Sequence, residues 1–218
     1  MQKKISKYEL ILLDMDGTLY YQRPLQLCMG LWMIKNALFV KGGMKELKTV
    51  LAFRKMREHW EGNDNVDVKQ YETLAKEQNV STEKVQAVVQ KWIYELPLRY
   101  LARFADKTLT AYAKEWMVAG KKVAVYSDYP SEDKQSVLGI SEITGFYGGQ
   151  KEIGALKPAP DGILYIMEAY GIQDKSKVLM IGDRMCKDGE AALSAGVDYL
   201  ILKKHKFMRK RQYKTLPM

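Results

Sequence analysis

Leu10-Ile11-Leu12-Leu13-Asp14-Met15-Asp16-Gly17-Thr18-Leu19 sets the reading of the whole chain. Four apolar residues run straight into two carboxylates one residue apart, and a glycine follows. The apolar run predicts a buried strand. An unpaired buried charge is costly, so a strand that ends in acids commits them to chemistry. In open α/β sheets, ligands bind outside the carboxyl ends of the strands. That places Asp14 as a nucleophile or metal ligand, with Asp16 beside it as an acid/base. Gly17 lets the chain turn sharply without a Cβ clash. By itself the stretch also admits a strand followed by a polar Asp/Gly turn.

Three later segments repeat the pattern of a strand that ends in a reactive group. Lys122-Val123-Ala124-Val125-Tyr126 leads into Ser127-Asp128, and Val178-Leu179-Met180-Ile181 leads into Gly182-Asp183, with Asp188 close behind. Between them, Gly154-Ala155-Leu156-Lys157-Pro158 supplies a lysine ahead of a proline.

In this order, the four motifs resemble the haloacid dehalogenase superfamily, in its phosphatase branch with a small helical cap (phosphoglycolate phosphatase and β-phosphoglucomutase). The resemblance spans residues 5–20 and 105–202; the stretch between matches only as a helical insertion. It implies a Rossmann-like, doubly wound parallel α/β core over 1–20 and 98–202, with an α-helical cap over 21–97. It further implies that Asp14 attacks phosphorus and forms an aspartyl-phosphate. Asp16 then protonates the leaving alkoxide and activates the hydrolytic water. Ser127 and Lys157 bind phosphate. Asp14, Asp183 and the backbone carbonyl of Asp16 ligate Mg²⁺, with Asp188 acting through water or behind them. Asp16 argues against a dehalogenase, whose relatives typically carry another residue there. A phosphomutase of the same family, or a non-catalytic binder docking through its basic C-terminus, are the alternatives. Tyr20-Tyr21 stands where many relatives carry Asp-Ser, which leaves the substrate open among sugar phosphates, nucleotides, phosphoglycolate and FMN.

Composition fits this reading. The chain has 218 residues, 47% hydrophobic and 28% charged, which suits one α/β domain with an insertion. No apolar run approaches the ~18 residues of a membrane span. The basic start at Lys3, Lys4 and Lys7 lacks a small-residue cleavage site, so no signal peptide is expected. Cys28 and Cys186 form neither a metal motif nor a disulfide framework, which points to a reducing cytoplasm. The net charge of +9 is concentrated in residues 203–218, where Lys203, Lys204, Lys206, Arg209, Lys210, Arg211 and Lys214 meet no acid. That stretch reads as a solvated basic tail, with weak contact to an anionic surface as its functional alternative. No specific nucleic-acid partner is expected. The resemblance implies a small phosphorylated metabolite as the partner, and a monomer or dimer is expected.

The elements follow from periodicity. Strands are predicted over 8–13, 122–126, 178–181 and 197–202. Helices fill 22–95, where Leu27, Leu31, Ile34 and Leu38 recur at helical spacing, and a loop falls at Gly62-Asn63-Asp64-Asn65. Arg54, Arg57, His59 and Trp60 cluster in that block as a solvated face around a core Trp60. Further helices are predicted around 109–116, 131–138, 160–170 and 188–195. Arg184 is given a structural role and Cys186 that of a small apolar filler.

Overall fold

The computed structural model describes residues 5–60 and 65–214. Lys3, Lys4, most of the 62–65 loop and the last four residues of the basic stretch lie outside them. β1 (Leu10–Leu13) sits at the centre of a parallel sheet with β2 (Lys122–Ser127), β3 (Thr144–Tyr147), β4 (Val178–Gly182) and β5 (Asp198–Ile201). The spatial order is β3-β2-β1-β4-β5. Leu13 pairs with Val125 on one side and Ile181 on the other, so β1, β2 and β4 end level with one another.

A central parallel strand is buried on both faces, which is why β1 is apolar at every position. Ile11 and Leu13 face one layer, which includes α1 (Gln22–Phe39) and α6 (Lys107–Val118). Leu10 and Leu12 face the other, built from α8 (Asp161–Ala169) and α9 (Glu190–Ala195). Each fully buried leucine contributes about 1.5–3 kcal/mol relative to exposure. This is the Rossmann-like α/β core expected from the sequence.

Between β1 and α6 the chain is helical. α2 (Gly43–Glu58), α3 (Val66–Gln78) and α4 (Thr82–Val89) close around Phe53, Leu74, Val85 and Val89, a small core of their own. A π-helical turn over Gln90–Glu95 and the short α5 (Leu98–Leu101) return the chain to the sheet. α7 (Glu132–Leu138) follows β2.

Two expectations need correction, and one periodic stripe turns outward. The strand at Thr144–Tyr147 was not expected: it is a half-buried edge of four residues, and Thr-Gly-Phe-Tyr shows no apolar run. The stripe Leu27, Leu31, Ile34 and Leu38 is not the buried face of α1. Leu27 and Leu31 are 72% and 71% exposed, while Leu25, Met29 and Met33 face inward. Finally, the basic stretch is not a solvated tail as far as it is described. It forms α10 (Lys206–Tyr213), in which Arg209 is 1% exposed and Tyr213 is buried. A charge count does not register that one of its cations is neutralised inside the fold.

Candidate active site

The level ends of β1, β2 and β4 bring the sequence-predicted acids together. Asp14 follows β1, Ser127 closes β2, and Asp183 follows β4. A second π-helical turn, Met185–Gly189, swings Asp188 back beneath them. Such turns recur at functional sites because they re-aim one side chain within a helical path. Two glycines make the approach feasible. Gly17, at φ +94°, lies where a Cβ would sit 2.6 Å from an Asp183 carboxylate oxygen, and a Cβ on Gly182 would sit 2.3 Å from the Asp188 carboxylate.

Lys157 is the hub. Its Nζ donates to Asp14 Oδ1 and to Asp188 Oδ1, both at 2.6 Å. Burial works against its ammonium, but Asp14, Asp188 and Asp128 outweigh burial and hold its pKa well above the ordinary lysine value. Thr18 Oγ1 donates to Asp14 Oδ2 at 2.8 Å. Burial, with Asp188 and Asp183 close by, pushes Asp14 well above the usual carboxylate range, although Lys157 pulls it down. Asp183 is raised as well, by burial and then by Asp188. Asp188 Oδ2 accepts the backbone N–H groups of Asp183 and Arg184, at 3.1 and 3.0 Å.

One atom is left over. Asp183 Oδ1 is buried with no hydrogen-bond partner, and carboxylate oxygens of Asp14, Asp183 and Asp188 lie within 4.8 Å of one another. Three acids around one lysine leave net negative charge, and an orphaned carboxylate oxygen is costly. The residues present therefore fit a hard divalent cation with oxygen ligands.

Asp16 sits apart from that cluster. Its Oδ1 accepts Lys134 Nζ at 2.6 Å and Tyr20 Oη at 2.7 Å. Burial opposes ionisation of Asp16, but Lys134 and Tyr20 outweigh it and hold the carboxyl below its ordinary value. Ser127 is buried, and its Oγ accepts the N–H of Tyr129 at 3.1 Å, which leaves the hydroxyl proton free to donate. A cavity of about 130 Å³ lies among Asp14, Asp16, Ser127, Lys157 and Asp183.

The neighbouring sequence contributes more than expected. Arg57, expected on a solvated face, is buried: it donates to the backbone carbonyl of Asp128 and to Asp67, and its guanidinium lies 4.9 Å from the Tyr129 ring. Trp60 is only partly buried, while Arg54 and His59 are exposed. Arg184 has the structural role assigned to it and forms a two-pronged pair with Glu58 at the end of α2. Cys186 is exposed rather than a filler. Sequence reasoning missed Thr18, Asp128, Lys134 and Lys187. Asp128 Oδ1 accepts the N–H of Lys157 at 2.9 Å, and Lys187 Nζ donates to the carbonyls of Lys157 and Glu58 at 2.8 Å. Thr18, four residues beyond Asp14 in the same turn, was within reach of inspection; Lys134, on another helix, was not.

Arg209 of α10 holds the turn after β1 from outside. Its guanidinium donates to the carbonyls of Gly17 and Thr18 at 2.7 and 2.9 Å and pairs with Asp106 at 3.3 Å.

A family model for haloacid dehalogenase-like hydrolases matches residues 8–196. Among solved structures, the chain is similar to a HAD-hydrolase of Bacillus subtilis bound to magnesium (15% identity, 99% of this chain and 100% of that one, TM-score 0.62). It is also similar to a 2-haloacid dehalogenase from Pseudomonas syringae pv. Tomato DC3000 (14%, 89% and 86%, 0.58). A third is a predicted phosphoglycolate phosphatase from Haemophilus somnus 129pt (20%, 91% and 86%, 0.53). No curated protein matches the chain. No described helix is long and apolar enough to cross a membrane.

Proposed function

The chain belongs to the haloacid dehalogenase-like hydrolases, and within that family we propose that it is a Mg²⁺-dependent phosphatase acting on a phosphate monoester. The observation that carries this reading is Asp16, a second, partly buried carboxylate at the rim of the cavity that holds Asp14. Displacing a halide needs no proton. Displacing an alkoxide does, and Asp16 is the group assigned to provide it. The magnesium of the Bacillus relative and the phosphatase name of the Haemophilus relative support the reading; the dehalogenase among the neighbours is its competitor.

Asp14 is the nucleophile. One carboxylate oxygen attacks phosphorus, the alkoxide departs, and an aspartyl-phosphate forms. The Lys157 ammonium favours the anionic form of Asp14 against burial and the neighbouring acids, and faces the charge of the transferring phosphoryl, for which Ser127 offers a hydroxyl. Asp16, ionised while Lys134 and Tyr20 hold it, serves the hydrolytic half as a base. A phosphate dianion arriving beside it raises its proton affinity, so that it takes up a proton from water and passes it to the departing alkoxide in the acid half. Asp14 and Asp183, with Asp188 behind them, would hold Mg²⁺, which neutralises the phosphoryl oxygens against these acids. The helical block 21–97 acts as a cap over the site.

The test is hydrolysis of p-nitrophenyl phosphate. Turnover should vanish in EDTA and return with Mg²⁺. Halide release from 2-chloropropionate with no phosphate release from any ester would overturn the phosphatase reading in favour of a dehalogenase.

A further inference from the structure

Beside the catalytic cavity lies a second one, of about 320 Å³, at the lower end of the ~300–1,000 Å³ typical of small-molecule sites. The two share Asp16, Gln22, Gln26, Arg54 and Tyr129 as a common wall, so they lie side by side. Their chemistry differs. The catalytic end is lined by acids, lysines and arginines. From Asp16 and Lys134 outward, the second cavity becomes apolar, walled by Leu25, Met29, Met33, Val50, Trp92 and Leu101. The Trp92 indole N–H is already satisfied by Glu46 Oε2 at 2.7 Å, so its ring contributes apolar surface only.

Gly30 supplies an independent observation. It lies in mid-α1, where glycine costs roughly 0.5–1 kcal/mol against alanine. No neighbour requires it, because a Cβ built there meets nothing within 4 Å. What lies in front of it is the groove. Its missing side chain keeps that groove open.

We propose that the alcohol part of the substrate is an apolar chain, laid along α1 in this groove, with its phosphate at Asp14 and its ester oxygen beside Asp16. This rests on the phosphatase reading above. The two methionines on the groove wall are flexible enough to adapt to a chain without fixed shape.

A phosphate of this kind can arrive free or from a lipid surface, and α1 favours the surface. The groove opens at Ile34, which belongs to the exposed stripe with Leu27, Leu31 and Leu38; Trp32 and Phe39 are exposed alongside. Residues 22–45 carry Arg23, Lys35, Lys41 and Lys45 and no acid. An apolar helical face with tryptophan and basic flanks is what binds an anionic bilayer in its plane.

The experiment measures kcat/KM with Mg²⁺ for ethyl, butyl, hexyl and octyl phosphate below their micelle concentrations. The expected result is a rise of roughly fourfold per methylene, the equivalent of burying each one. Gly30→Leu fills the groove with a residue that favours helix, so the octyl-to-ethyl ratio should fall at least about tenfold. Gly30→Ala should fall between. Hydrolysis with a flat chain-length profile overturns this inference and leaves the phosphatase reading intact. No hydrolysis of any ester overturns both. If Gly30→Leu fails to fold, the parent profile still decides. For the source, sedimentation with vesicles of 70% phosphatidylcholine and 30% phosphatidylglycerol is compared between the parent and Leu27→Gln/Leu31→Gln. Tenfold or greater loss of binding is expected, and equal binding overturns the lipid surface as the source.

Discussion

β1 and α1 are both apolar, yet the structure treats them oppositely. All four residues of β1 are fully buried. α1 has two apolar stripes and buries only one of them. A central strand of a parallel sheet has no face to choose, so its run of apolar residues has one meaning. A helix that is apolar on most sides can present either stripe inward, and the neighbours decide which. The strand ends therefore set the chemistry rigidly, while α1 shapes what lies beyond it. Changes at the two places should differ accordingly: loss of turnover at the strand end, altered selectivity along the helix.

The sharpest test of that contrast is at the strand end. Asp14→Asn should show no detectable turnover while folding normally, because the amide cannot attack phosphorus. Near-parent activity would show that the nucleophile lies elsewhere. Asp16→Asn should lose roughly 10²–10⁴-fold, the usual contribution of a positioned acid or base, and should still trap phosphate on Asp14. Unchanged single-turnover phosphorylation and hydrolysis would remove Asp16 from the chemistry and with it the argument against a dehalogenase.

Much of this site was legible in the sequence. Asp14, Asp183 and Asp188 stand together as expected, with Lys157 between them. Each follows an apolar run or precedes a helix, and strand order alone brings them to one edge. What was not legible depends on tertiary partners. Lys134 looks like any helical surface lysine until α7 brings it to Asp16. The edge strand β3 has no pattern of its own and exists because β2 offers it backbone hydrogen bonds. Arg209 sits among six other cations in residues 203–218, and nothing local marks it as the one that is buried.

Arg209 extends the comparison to the far end of the chain. It is paired with Asp106 in the interior, and Tyr213 Oη donates to the same carboxylate at 2.8 Å. Arg209→Met would strand Asp106 and free the Gly17 and Thr18 carbonyls. Breaking a buried pair in this way costs about 3–5 kcal/mol. A urea melt should show that loss, and turnover should fall with it because the turn carrying Asp14 and Asp16 loosens. Truncation after Leu202 should behave alike. Parent stability and activity in both variants would return the C-terminal stretch to the status of a solvated tail.

The smallest effect belongs to the contact between the helical block and the sheet. Glu58, at the end of α2, pairs with Arg184, which follows β4. The Arg184 hydrogen bond holds Glu58 below its ordinary pKa; partial burial opposes it, and the charges of Arg184 and Lys187 add to it. A carboxylate depressed in the folded state contributes stability above its unfolded value of about 4.3, and that contribution is lost as pH falls through the folded value. Both partners are about a third exposed or more, so solvent limits the pair to roughly 0.2–1 kcal/mol. Glu58→Gln should therefore be slightly less stable than the parent at pH 7, and the gap should close as pH falls below about 4. Urea melts of the two proteins from pH 3 to 7 measure it. A gap that persists unchanged at pH 3 would mean that the side chain matters through packing. In that case the charge pair does not fasten the helical segment to the sheet, and the Arg57 contact with the Asp128 carbonyl carries the closure instead.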